Sequence, residues 1–167
     1  GKNIITNQMK RVVLSIGLLF IVGFISAQNP LPKGGKQLNA GLGFSNHGLP
    51  IYVGMDFGVH PDVSIGGEII FRTYNDGNYR NSGIGFLFNS NYHFNTIMDI
   101  PSDWDFYAGL NIGFTFWSYD DDYNGDDYTG LGLGAQIGGR YFINQKFGLN
   151  LELNGGNATS GGKFGIT

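Results

Sequence analysis

The sequence predicts an all-β fold, an eight-stranded antiparallel up-and-down transmembrane β-barrel preceded by a signal peptide. Three observations carry this prediction. From about Gln37 onward, apolar residues recur on every second position; Ile51, Val53, Met55, Phe57 and Val59 alternate with Tyr52, Gly54, Asp56, Gly58 and His60. That is the period of a strand with one apolar face, and no segment shows a helical period. Short turns alternate with long Gly/Asn/Asp-rich loops, the arrangement of a barrel whose turns lie on one side of a membrane and whose loops lie on the other. An export signal stands ahead of the strands.

That signal occupies residues 9–27. Met9-Lys10-Arg11 gives a start and a basic region, Val12 to Ile25 an apolar stretch, and Ile25-Ser26-Ala27 a small-residue cleavage site. The apolar stretch falls short of the ~20 residues a membrane-spanning helix needs. Residues 1–8 are set apart as upstream sequence, 28–36 as a periplasmic N-terminal segment, and 37–167 as the barrel. Removing residues 1–27 takes Lys2, Lys10 and Arg11 with it, leaving 7 Lys+Arg against all 13 Asp+Glu. This acidic balance argues against nucleic acid, which selects a basic face. With no cysteine there is no disulfide, thiolate metal site or Cys nucleophile.

The expected strands run Gln37–Ser45, Ile51–Val59, Val63–Thr73, Gly83–Phe94, Asp105–Trp117, Gly130–Phe142, Phe147–Asn154 and Gly162–Thr167. His60-Pro61-Asp62 and Asn144-Gln145-Lys146 are the tight turns. Residues 45–50, 74–82, 118–129 and 155–161 are the long loops. Residues 95–104 form a turn-side connection of unusual length. Facing residues on paired strands must share a side, because a one-residue slip turns the apolar set over. Three-residue turns then set Val59 opposite Val63 and Ile143 opposite Phe147.

The face opposite the apolar one is rich in glycine, from Gly41 and Gly54 through Gly109 and Gly138 to Gly148. Eight strands enclose an interior just wide enough for side chains. Glycine there lets the wall curve and leaves room for larger polar neighbours. Aromatic residues fall in two bands. Phe94, Phe106, Tyr141 and Phe147 lie toward the short turns, and Phe44, Phe71, Phe86, Phe114 and Phe116 toward the long loops, as the two membrane interfaces require.

The pattern resembles the small eight-stranded outer-membrane barrels of the OmpX and OmpA transmembrane-domain type, the outer membrane protein beta-barrel domain family of Gram-negative bacteria. Gly139-Arg140-Tyr141-Phe142, Phe147-Gly148-Leu149 and Gly161 to Thr167 carry most of the resemblance. It implies Sec export to the outer membrane, outer-membrane lipid and the barrel-assembly machinery as partners, and a monomeric, porin-like cell-envelope protein. Such strands end on an aromatic that the assembly machinery recognises. Strand eight here stops at Thr167 after six residues, so it is expected to be truncated.

Asp56, Glu68, Arg72, Gln136, Arg140, Asn150 and Glu152 fall on the inner face, with His93, and buried charges must pair. They are expected to form an ion-pair and hydrogen-bond network filling the lumen, with Arg140 opposite Asn150, Glu152 one diagonal step away, and Glu68 sharing a face with Arg72. The acidic loop 120–127 matches the opening of a calcium loop at Asp120, Asp122 and Asn124, and Asp126 adds a fourth candidate ligand for Ca2+. Position twelve is Leu131 rather than Glu and no helices flank it, which favours a solvated, self-repelling loop. No other cofactor is expected. Ser45, His47 and Asp126 or Asp127 make no triad spacing, and no catalytic residues are assigned. His47, His60 and His93 form no metal cluster.

The expected role is structural or surface-interactive through the long loops. The alternatives are a soluble, secreted lipocalin-like barrel holding a small apolar ligand, which requires the opposite polarity, and a narrow outer-membrane pore.

Overall fold

A computed structural model describes residues 31–44, 49–76, 79–118, 129–157 and 161–167. Residues 1–30, Ser45, His47 and the 120–127 loop, with its candidate calcium ligands Asp120, Asp122, Asn124 and Asp126, lie outside the described residues.

Eight antiparallel strands close on themselves in chain order: β1 (Lys36–Phe44), β2 (Ile51–His60), β3 (Val63–Asp76), β4 (Tyr79–His93), β5 (Trp104–Ser118), β6 (Thr129–Phe142), β7 (Gly148–Gly156) and β8 (Gly161–Ile166). Closure follows from the sequence pattern. Each strand has one apolar face, and β8 pairs back onto β1 through Ala40–Ile166 to Phe44–Gly162, leaving no sheet edge there. The apolar set points outward. Leu131, Leu133 and Leu110 are each more than 60% exposed, while Asp56, Arg140, Gln136 and Glu152 are buried inside. A lipocalin-like barrel would line its cavity with the apolar set, and this wall has the reverse polarity.

Strands β3 to β6 are 14 or 15 residues long, more than the ~9–11 a tilted strand needs to cross a bilayer. The β3–β4 ladder continues to Asp76–Tyr79, so most of the stretch expected as a loop from Tyr74 to Ser82 is paired ribbon. Composition misled there: polar residues pair as readily as apolar ones once a strand leaves the apolar belt.

At the short-turn end the β2–β3 register differs from expectation. His60, not Val59, faces Val63, through an irregularity between Gly58 and His60. The two-residue hairpins that fit strand twist need positive φ at their first central position, which Pro61 cannot adopt. An extra residue in β2 absorbs the mismatch. The β6–β7 turn is as expected, with the Ile143 amide donating to the Phe147 carbonyl at 2.9 Å. The long connection before β5 contains one helical turn, α1 (Asn95–Met98), tied down by Thr96 Oγ1 donating to Asp62 Oδ1 at 2.6 Å. Trp104, expected in that connection, opens β5 and faces outward.

Residues 31–35 turn into the same end. Gly34, at φ 83°, donates its amide to the Gly58 carbonyl at 2.7 Å, the Gly58 amide donates to Gly35, and Leu31 is almost wholly buried.

Candidate functional site

The candidate site is the barrel interior, and its construction begins with glycine. Large inward side chains stand directly across a ladder from glycine: Tyr107 from Gly138, Asp56 from Gly66, Glu68 from Gly54, Gln136 from Gly109 and Lys163 from Gly43. A Cβ on Gly138 would clash with the hydroxyl end of the Tyr107 ring, and one on Gly66 would meet the Asp56 carboxylate. The inner-face glycines thus hold the volume that the polar side chains occupy.

Two charged tiers cross the interior. In the first, Arg140 on β6 donates from Nη2 across the lumen to Asp56 Oδ2 on β2 at 2.7 Å and from Nη1 to Asp105 Oδ2, its ladder partner on neighbouring β5, at 3.0 Å. Its guanidinium lies 4.3 Å from the centre of the Tyr107 ring, close enough for cation–π attraction. Asn39 Nδ2 donates to the same Asp56 oxygen at 2.8 Å. In the second tier, Lys163 Nζ on β8 sits between Glu68, with both carboxylate oxygens at 2.8 Å, and Glu152, at 2.9 Å. Tyr107 Oη donates to Glu152 Oε2 at 2.6 Å and so links the tiers.

Amides fill the remaining interior. Asn111 donates to Gln136, whose Nε2 donates to Asn91 Oδ1 at 2.7 Å. Tyr52 Oη donates to Asn150 Oδ1 at 2.7 Å, and Asn150 Nδ2 donates to the Ile166 carbonyl at 3.1 Å. Gln37 donates to Thr167, and Thr167 to Asn39. The void among Asn39, Tyr52, Asp56, Glu68, Arg140 and Lys163 is about 10 Å³, the size of about one water probe.

Among the residues singled out from sequence, the structure brings Asp56, Glu68, Gln136, Arg140, Asn150 and Glu152 into these chains. Arg140 does stand opposite Asn150. Glu68 meets Lys163 rather than Arg72, and Arg72 lies farther toward the long loops with Ile70, Leu87 and Thr115. Lys163, Asp105, Tyr52 and Tyr107 were not singled out. Their positions carried the signal, since each occupies an inward step of its own strand's alternation.

Beside the first tier, Ser64 Oγ lies 2.8 Å from His93 Nε2, and His93 Nδ1 lies 2.6 Å from Asp105 Oδ1. The order is that of a Ser-His-Asp triad. Exposures of 1%, 1% and 0% leave no path for a substrate to Ser64, and Asp105 already holds Arg140. As placed, the line ties β3, β4 and β5 together, and an acyl-transfer site would need open space beside the nucleophile. Among the described residues no group of three or more His, Cys, Asp or Glu could hold a metal ion.

No protein-family model matches the chain, and no curated protein does. Solved structures do. The N-terminal β-barrel domain of Pseudomonas aeruginosa OprF aligns with a TM-score of 0.58 at 13% identity, covering 80% of this chain and 93% of that domain. Neisserial surface protein A (NspA) aligns with a TM-score of 0.52 at 16% identity, covering 78% and 88%. At such identities the likeness is one of fold: this chain is an eight-stranded barrel of the architecture these two proteins share.

Proposed function

We propose that the chain is a monomeric outer-membrane β-barrel of a Gram-negative cell envelope, exported through the Sec pathway and inserted by the barrel-assembly machinery. Its role is structural or interactive, carried by the long-loop side, and no catalysis is assigned to it. The observation that carries this reading is the inverted polarity of the wall. A continuous apolar exterior of this extent is costly in water and favourable in lipid. Arg140 and Lys163, each held by two carboxylates, supply the pairing that buried charge requires. The bilayer is thus the partner the exterior fits.

In this reading the two tiers close the lumen, because a void of about 10 Å³ passes no hydrated ion. The acidic loop 120–127 is solvated surface, and any Ca2+ held by Asp120, Asp122, Asn124 and Asp126 would be an addition to the role rather than its basis. The test is electrophoretic mobility of the membrane-fraction protein, boiled against unboiled. A detergent-resistant band that shifts on heating supports the reading. A soluble protein with no shift overturns it.

A further inference from the structure

We propose that residues 31–35 are a releasable plug in the short-turn mouth of the lumen, laid against the inner face of β1 and β2 and covering the Ser64–His93–Asp105 line. The proposal rests on the closed barrel and not on the membrane reading. Ser64 and Asp105 are each the second residue of their strand, and His93 is the last of β4. Side chains so near the rim of a barrel face its open end, yet these three are almost wholly buried. The wall alone does not bury them from below, so something lying across the mouth does.

The segment ahead of β1 supplies that cover. Pro32-Lys33-Gly34-Gly35 is a reverse turn, in which the Gly35 amide donates to the Pro32 carbonyl at 2.8 Å and Gly34 sits at φ 83°. Gly34 holds the third position of a type II turn, where positive φ calls for glycine. Gly35 continues the β1–β2 ladder, its carbonyl accepting from the Gly58 amide at 3.0 Å, so the turn sends Pro32 and Leu31 back toward the barrel. A Cβ on Gly58 would collide with the Pro32 carbonyl, and one on Gly35 would stand 2.9 Å from Leu31 Cδ1. Gly58 lies on the inward step of β2, in line with Asp56, and faces Ser64 across the ladder. Facing residues hold their Cβ atoms about 4.5–5.5 Å apart, so the Pro32 carbonyl takes the place beside the Ser64 side chain. Glycine at both 35 and 58 leaves the room that Leu31, the apolar stopper, fills.

The plug leaves without unfolding the barrel. Its hold consists of the Gly34 amide on the Gly58 carbonyl at 2.7 Å, the bond from Gly58 to Gly35, and the burial of Leu31. Lys33 and Gly34 are exposed. Segments with so few buried contacts open at far lower free energy than the ladders beside them. With the plug out, water and small solutes reach Ser64 and His93, and the Arg140 tier still stops them there.

The chain has no cysteine, so Ser64→Cys carries a single thiol. The measurement is the rate at which a cationic methanethiosulfonate modifies that thiol in the folded full chain. Gly58→Val drives Pro32 off the inner face, and Leu31→Glu removes the stopper without touching a strand. Gly155→Val, at the opposite end, is the control, since a Cβ there meets nothing within 4 Å. Each variant is scored only where circular dichroism keeps the sheet, and Leu31→Glu decides alone should Gly58→Val not fold. The expected result is slow modification in Ser64→Cys alone and with Gly155→Val, and a ten-fold or greater acceleration with either plug variant. Fast modification in Ser64→Cys alone overturns the proposal, because the mouth is then open with the plug in place. Rates unchanged by both plug variants overturn it as well. Acceleration by Gly58→Val with none by Leu31→Glu places the opening in β2 itself, and that too overturns it.

Discussion

Tyr107 on β5 fills the space that a side chain on Gly138, its direct partner on β6, would occupy. The Tyr107 hydroxyl then reaches Glu152, and its ring lies beside Arg140. Gly138 thus sets the position of a group that joins both charged tiers. Gly138→Val would force the Tyr107 ring away and uncouple Glu152 from it. Overpacking costs about 1–3 kcal/mol, and the lost hydrogen bond to a charged group about 1.5–3 more. The measurement is the urea midpoint of the folded band in lipid vesicles, which is expected to fall. Gly155→Val serves as the control, since a Cβ there meets nothing within 4 Å. A midpoint unchanged in Gly138→Val would show that the ring has room the structure does not give it.

Arg140 is the cation of the first tier and spans opposite walls of the barrel. Arg140→Met would keep most of the length but leave Asp56 and Asp105 buried without it. Breaking one side of a buried pair costs about 3–5 kcal/mol. Adding Asp56→Asn and Asp105→Asn to Arg140→Met should recover much of that loss, because neutral amides carry a far smaller burial cost. Equilibrium unfolding of the single and triple variants checks this. A triple variant no more stable than the single one would mean that Arg140 acts through packing instead of charge.

Both tiers have to be passed by any ion crossing the lumen, because they lie in series. The parent protein is expected to show no stepwise conductance in planar bilayers. Glu68→Ala, Glu152→Ala and Lys163→Ala combined remove the second tier's cation together with both its carboxylates, and the first tier still stands. That variant is also expected to stay closed. Steady steps from the parent protein would support the narrow-pore alternative.

Strand faces were legible because the period of two is set by backbone geometry, and the inward glycines because they break that pattern on one side only. Gly109 and Gly138 could be placed inside from sequence. That Gly109 makes room for Gln136 and Asn91 could not, because alternation gives a residue's face but neither its height nor its angle around the barrel. The same limit explains Glu68, which shares a face with Arg72 yet pairs with Lys163, three strands away around the wall and 95 residues along the chain. Lys163 and Asp105 are readable as inward from the alternation of their strands, which names no partner for either. The extra residue at Val59 follows from Pro61 only once the hairpin's loop length is known, and α1 is too short to show a period.

Trp104 reports where the short-turn end sits in the membrane. The chain has two tryptophans, so Trp117→Phe leaves Trp104 as the sole emitter. Trp104 faces outward, half-exposed, against Phe106 and Tyr141. In a bilayer that position lies at the interface between headgroups and acyl chains, where aromatic belts gather. Lipids brominated near the glycerol end of the chain should therefore quench its emission more strongly than lipids brominated near the terminal methyl. A water-soluble quencher should act weakly. The order of quenching separates placements: strongest quenching from the chain terminus would move Trp104 to mid-bilayer and shift the belt toward the short turns. Strong quenching from water alone would leave the aromatic end outside the membrane, and the apolar belt would then be too short to span it.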